Sequence, residues 1–307
     1  MEGTKTPMKI SKTNLRSPIT WFGGKGMMVK KLLPLIPDHH IYVEPFGGGG
    51  SLLFAKEPSA VEVYNDLDSG LVNFFRVLRD PAKFPALLKL CRLMPFSREE
   101  FDYCRSVWGK EENDIDRAFM WYVVARMSFS GIFGGSWGHT VSSSARGMAS
   151  SVSKWLSIQE ILPDIHKRIM RVQIEHSDFR QILTRYDTPR TFFYIDPPYI
   201  HATRRSGGYA HELHAADHSD LVQMLLKLQG KAMLSGYAHG IYKPLEEAGW
   251  ERHDFSVVCC AAGRTRTSGL QGKGAAKAKQ MRTETVWLSP NCREDTNADN
   301  GYPGDGG

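Results

Sequence analysis

An acid, two prolines and an aromatic ring follow directly on an apolar run in Phe192-Phe193-Tyr194-Ile195-Asp196-Pro197-Pro198-Tyr199. These residue types suit a planar heterocycle that carries an exocyclic amine. The Tyr199 ring offers a face for stacking, worth about 1–3 kcal/mol for a base on an aromatic. Asp196 accepts one amine hydrogen. The Pro197 carbonyl accepts the other, with no N–H on that residue to compete. With both hydrogens held, the nitrogen lone pair turns towards whatever lies behind it. The plainer alternative is a strand-ending turn that begins Asp-Pro, and this stretch alone does not choose between them.

The elements that must position these groups are readable. Phe192–Ile195 has the character of a buried parallel strand. Prolines cannot continue a sheet ladder, so the chain turns out at the strand's carboxyl end. Open α/β sheets bind ligands at that edge. Upstream, Ile41-Tyr42-Val43-Glu44 runs into Pro45-Phe46 and four glycines, Gly47 to Gly50, with a helix expected from about Ser51. Strand, glycine loop and helix make the first turn of a nucleotide-binding unit. The Gly-x-Gly-x-x-Gly spacing of pyrophosphate binders is absent, which fits a ligand without a pyrophosphate.

Two more stretches belong with these. Trp21-Phe22-Gly23-Gly24-Lys25 puts aromatics, freed backbone amides and a cation together before a helical pattern from Met28 to Leu35. Those amides can approach a carboxylate or another anion, or the glycines simply cap the helix. Val61 to Tyr64 reads as the second strand and ends in Asn65-Asp66. An acid there commonly binds ribose hydroxyls. Asp66 serves that purpose, or caps a helix from Leu67 to Leu78, or both.

Taken in order, Trp21 to Lys25, Glu44 to Gly49, Asn65-Asp66 and Asp196 to Tyr199 resemble the motifs of Dam-type adenine-N6-specific DNA methyltransferases of the alpha group. The resemblance spans about residues 16–290. It implies an α/β fold: a Rossmann-like sheet that binds S-adenosyl-L-methionine, with an inserted, mostly helical target-recognition domain. It implies methyl transfer to the exocyclic N6 of a flipped-out adenine in double-stranded DNA. Asp196, Pro197 and Tyr199 are then catalytic. Trp21, Lys25, Glu44, Phe46, Gly47, Gly49, Asp66 and Asp196 are cofactor-binding. Val172 to Phe179 resembles the family's third cofactor strand, which adds Asp178 and Phe179 around the cofactor's adenine. Asp178 equally suits the cap of a helix from Phe179 to Arg185.

The same comparison divides the chain. Residues 1–15 are polar and expected to be a flexible start, and 16–78 with 151–290 are expected to form the catalytic, cofactor-binding domain. Residues 79–150 form the recognition insert, and 291–307 a disordered tail. Helices are expected at Arg79 to Cys91, Arg98 to Val107 and Asp114 to Met127, followed by an exposed loop or hairpin from Ser128 to His139. The insert departs from the family pattern. Val124-Ala125-Arg126 stands for the usual Leu-Asn-Arg, and the hairpin that follows is rich in serine and glycine rather than basic residues. Arg126 either touches DNA or closes its helix. Arg264 and Arg266 lie in a basic, glycine-rich stretch that suits phosphate contact or is a solvated loop.

Composition agrees with a DNA partner without requiring one. The 307 residues carry a formal net charge of +6 and are 41% hydrophobic, as in ordinary globular proteins. Five cysteines, with no Cys-x-x-Cys pair, suggest neither disulfides nor zinc. No apolar run reaches the length of a membrane span and the N-terminus lacks a signal-peptide core, so a cytoplasmic location is expected; the oligomeric state is open, with a monomer favoured. The histidines at 201, 211, 214 and 218 read as a solvated loop rather than a metal site. Cytosine-N4 methylation uses a similar motif, usually with Ser first, and an amide methylase tends to have Asn there. A silent DNA-binding relative and a small-molecule methylase complete the alternatives.

Overall fold

The computed structural model describes residues 15–21, 23–200, 211–258 and 281–293. Apolar runs bounded by polar or glycine-rich turns become the strands of one seven-stranded sheet. These are β1 (Ile41–Glu44), β2 (Val61–Asn65), β5 (Gln173–Glu175), β6 (Thr191–Ile195), β7 (Lys231–Gly236), β8 (Glu251–Val258) and β9 (Met281–Leu288). Their order across the sheet is β5-β2-β1-β6-β7-β9-β8. The first five are parallel, and β9 enters antiparallel between β7 and β8. A two-stranded hairpin, β3 (Ser144–Ala145) with β4 (Met148–Ala149), stands apart from this sheet.

The centre of the sheet is covered on both faces, which is why its sequence lacks a polar alternation. Every residue of β6 is buried. Phe192 and Tyr194 point into one hydrophobic cluster, Phe193 and Ile195 into another. The second cluster is closed by α8 (Phe179–Tyr186), α9 (Ala215–Leu225) and the short α10 (Lys243–Glu247). The first is closed by α1 (Val29–Leu32), α2 (Ser51–Ala55), α3 (Ser69–Arg79), α4 (Phe84–Leu93), α5 (Arg98–Val107), α6 (Asp114–Met127) and α7 (Ser150–Ile169).

The helical stretch after α3 shares that first cluster with the sheet. Phe74 of α3 stacks on Tyr122 of α6 with ring centroids 4.8 Å apart and planes within 3°. Helix α6 is buried nearly all round, with Trp121 and Tyr122 fully inside. A Cβ on Gly70 of α3 would fall 2.3 Å from the Trp121 ring, so the two helices can meet only because that position is glycine.

A buried ionic cluster fastens the far end of α7 to the sheet. Arg168 grips both carboxylate oxygens of Glu62 on β2 and donates to the Leu53 carbonyl of α2 at 2.8 Å. Lys56 Nζ adds a contact to Glu62 at 2.8 Å. Burial alone would raise the Glu62 carboxyl, but Arg168 and Lys56 outweigh it and hold it below the usual glutamate value.

Several sequence expectations shift at their boundaries. Arg79 ends α3 instead of starting the next helix, because Asp80 precedes Pro81 and adopts an extended backbone. Helix α7, which the apolar pattern of the sequence places at Trp155 to Ile169, begins five residues earlier, at Ser150. Helix α9 begins at Ala215, and Asp217 lies inside its first turn, accepting from the His214 N–H at 2.9 Å. His218 is fully buried, with Nδ1 2.9 Å from the Tyr242 hydroxyl, and is not part of a solvated loop. Residues 128–139 form a loop pinned by a Ser128–Trp137 bridge; it exposes Phe129 and Ile132 and tucks Phe133 against Trp121.

Candidate active site

The site is built where β1, β2 and β6 end. After Glu44 the chain turns through a loop that only glycine can form. The Gly47 N–H donates to the Asn65 carbonyl at 2.7 Å, and a Cβ on Gly47 would lie 2.2 Å from the Tyr64 ring. Gly48 and Gly50 have φ of +47° and +63°, a region that L side chains rarely adopt. The Tyr64 hydroxyl donates to the Gly48 carbonyl at 2.7 Å, and the Gly48 N–H donates to Asp66 Oδ2 at 2.8 Å. The end of β2 therefore holds the glycine loop from both sides.

Asp66 does not cap α3. Asp68 does, accepting from the Gly70 and Leu71 N–H groups at 2.9 Å each. Asp66 instead takes the Asp68 N–H on Oδ1. Burial pushes its carboxyl up to about 6 despite both backbone bonds. Asp178 does cap its helix, accepting from the Arg180 N–H at 2.8 Å and pairing with the Arg180 guanidinium.

Glu44 is 1% exposed. The Tyr42 hydroxyl and the Leu53 N–H donate to its Oε1 at 2.7 and 2.9 Å. Burial nevertheless pushes the carboxyl up to about 8, against those bonds. The folded chain thus keeps a proton that the unfolded chain has released above the ordinary value of 4.5. The stability this group contributes is complete below the unfolded pKa and is lost as the pH rises towards 8. Each unit of separation is worth about 1.4 kcal/mol. We expect the urea midpoint of the ligand-free protein to fall between about pH 5 and pH 8. Glu44→Gln should flatten that slope; an unchanged slope would place the proton elsewhere.

At the end of β6, Asp196 meets Lys25. The ammonium lies 2.8 Å from Asp196 Oδ1, 3.0 Å from the Gly23 carbonyl and 4.6 Å from the centre of the Tyr199 ring. The contact pairs the two charges directly at the strand end. Burial raises the Asp196 carboxyl, and Lys25 opposes that. Tyr199 is itself buried, its hydroxyl donating to Glu284 Oε2 at 2.6 Å and its ring packed edge-on with Tyr237.

These strand ends surround an open-mouthed cavity of about 860 Å³, including solvent at its mouth. Trp21, Lys25, Glu44, Phe46, Gly47, Gly49, Asp66, Phe179 and Asp196 all line it. Phe46 and Phe179 face each other with centroids 5.2 Å apart. Trp21 leans on Trp121 of α6 at 5.8 Å, so the helical layer backs one wall. Asp178, Pro197 and Tyr199 do not line the cavity. Pro197 and Tyr199 are buried beside it.

Residues 21–244 match the profile of the D12 class N6 adenine-specific DNA methyltransferases. The chain belongs to that family. It is similar, at 25% identity over 292 residues, to the type II methyltransferase M1.LlaDCHI of Lactococcus lactis subsp. cremoris, covering 89% of this chain and 96% of that protein. It is also similar to the DNA N-6-adenine-methyltransferase of Escherichia phage P1, at 26% identity over 119 residues; that match covers 38% of this chain and 16% of the phage protein. The family shows this chain to be an adenine-specific DNA methyltransferase, as its motif order suggested.

The D12 class methyltransferase thus brings together nine of the residues its sequence singled out. Arg126 is placed elsewhere: its guanidinium donates to Thr20 Oγ1 at 2.9 Å and to the Lys154 carbonyl at 3.3 Å, so the contacts described for it are structural. Phe22, Arg264, Arg266, and residues 201–210 and 294–307 lie outside the described residues. Sequence reasoning gave no role to Asn65, whose side-chain amide donates to the Pro45 and Ser177 carbonyls at 2.8 and 2.9 Å and ties two site loops together. Its place at a strand end beside Asp66 was the available signal. Glu284 had none. Among the described residues no cluster of His, Cys, Asp or Glu is arranged for a metal, and no helix is long and apolar enough to cross a membrane.

Proposed function

We propose that the cavity binds S-adenosyl-L-methionine and that Asp196 presents the N6 amine of a flipped-out adenine to it. The observation that carries this reading is the Asp196 carboxylate at the end of β6, fixed by Lys25 at 2.8 Å on the border of the glycine-loop cavity. The residues fit that cofactor. Phe46 and Phe179 provide apolar faces for a purine, and Asp66 lies beside the loop where ribose hydroxyls are usually held. Glu44 and the backbone around Gly23 are polar groups for its amino-acid end. When bound, the cofactor supplies an electrophilic methyl group.

The chain's own part is orientation. A base must leave the duplex stack to be reached, at a cost of a few kcal/mol. Tyr199 supplies an aromatic surface for it. Asp196 and the Pro197 carbonyl take the two amine hydrogens and so direct the nitrogen lone pair at the cavity. Lys25 favours the ionised form of Asp196 against the effect of burial and sets where Oδ1 points. Catalysis then comes from alignment and fixed charge. No nucleophile of the enzyme is needed. Residues 79–150 act as the target-recognition segment, with exposed Phe129 and Ile132 available to DNA.

The test is to incubate purified protein with methyl-labelled cofactor and unmethylated plasmid, digest the DNA and separate the nucleosides. Label in N6-methyldeoxyadenosine is expected. Label in N4-methyldeoxycytidine, or none in DNA, would overturn the reading. Single-molecule sequencing of the same plasmid gives the target sequence.

A further inference from the structure

Strand β9 runs against its neighbours, so its first residues arrive at the edge where the parallel strands end. Gly236, the last residue of β7, pairs with Thr285. Glu284, one step further, therefore reaches the catalytic edge from a part of the chain 85 residues beyond Tyr199. Its Oε2 accepts the Tyr199 hydroxyl at 2.6 Å. Tyr237, just past β7, packs edge-on against the Tyr199 ring with centroids 4.6 Å apart. Arg282 of β9 donates to the Tyr237 hydroxyl at 3.3 Å.

We infer that Glu284 is a positioning residue for methyl transfer: it fixes the plane of the Tyr199 ring against which the target base is held. The inference rests on the stacking role given to Tyr199 above. The ring is constrained at both ends. Two prolines precede Tyr199 and limit its backbone approach. At the other end the phenol is tied to a carboxylate, a charge-assisted bond stronger than a neutral one. Without that bond the ring can rotate about its side-chain torsions, and the base loses a fixed surface. A small misplacement at such a point costs rate out of proportion to its size. Glu284 itself need not touch the base.

A double-mutant cycle tests this on the full-length protein. Single-turnover methyl transfer to plasmid is measured for Tyr199→Phe, Glu284→Ala and the two together, with cofactor affinity and urea stability measured on each. Each single change is expected to lower the rate about tenfold, the scale of one lost charge-assisted hydrogen bond. The pair should be no slower than Tyr199→Phe alone, because the bond to Glu284 is already lost there. Glu284→Gln keeps an acceptor oxygen and should recover most of the rate. Cofactor affinity should stay parental throughout. Losses that multiply in the double variant, or a parental rate in Glu284→Ala, would overturn the positioning role. Tyr199→Ala separates the two claims: a parental rate there would remove the stacking role of Tyr199 and the positioning role with it. A slow Tyr199→Ala with a fast Glu284→Ala would remove only the latter.

Discussion

Replacing Asp196 with alanine should lower single-turnover methyl transfer about 10³-fold while cofactor affinity stays near the parental value. The size follows from what the carboxylate does. Removal of one preorganised hydrogen-bonding group that acts in the transition state costs about 10²–10³ in rate. Asp196 adds a buried charge, held by Lys25 at 2.8 Å, to that group. The split follows from geometry. The glycine loop is held by Tyr64, Asn65 and Asp66, none of which depends on Asp196. Alanine leaves that cradle in place and removes the acceptor for the amine. Asp196→Asn should fall between the two, because it keeps one acceptor oxygen but leaves the Lys25 ammonium without its counter-charge. Binding is read by titration of cofactor and rate by label transferred in one turnover. An alanine variant that methylates plasmid at the parental rate would end the mechanism. One that fails equally in both assays would reassign Asp196 to holding the cofactor.

The largest effect on stability is expected at Arg168. Its guanidinium is 2% exposed, and its partner Glu62 is 1% exposed. Arg168→Ala strands the Glu62 carboxylate with Lys56 alone and leaves the Leu53 carbonyl without this donor. Breaking a buried pair from one side typically costs about 3–5 kcal/mol. Urea unfolding should show that loss with little change in the rate of the protein that remains folded, because Glu62 lies near the start of β2 and the site is built at the strand's end. Replacing Arg168, Glu62 and Lys56 together by apolar residues of similar volume should recover much of it. A loss below about 1 kcal/mol would mean that water reaches Glu62 and screens it as at a surface.

The parts legible in the sequence were those with a local signature. β1, β2 and β6 were apolar runs with a sharp end, and α6 lies where its pattern put it, from Asp114 to Met127. The glycine loop was legible because it requires conformations that few other residues adopt. Choices between neighbours were not. Asp66 and Asp68 are both acids just before a helix, and only the path of the chain decides that Asp68 reaches the free N–H groups. Asp178 suited two roles, and its bond to Arg180 places it at the helix start. His218 looked solvated beside other histidines, yet helix α9 turns it inward to Tyr242. Glu284 was invisible because its partner lies on a distant strand that runs the other way. A pairing of that kind leaves no spacing to find.

The shared interior of sheet and helices has a consequence for how such an enzyme can change its target. Trp121 supports Trp21 on one side and Phe74 on the other, so helix α6 cannot be lifted out without opening the wall of the glycine-loop cavity. Chimaeras that transplant the whole helical segment from a relative should therefore misfold or lose cofactor. On the proposed role of residues 79–150, altered specificity is to be sought in the outer loops, where Phe129 and Ile132 already face solvent.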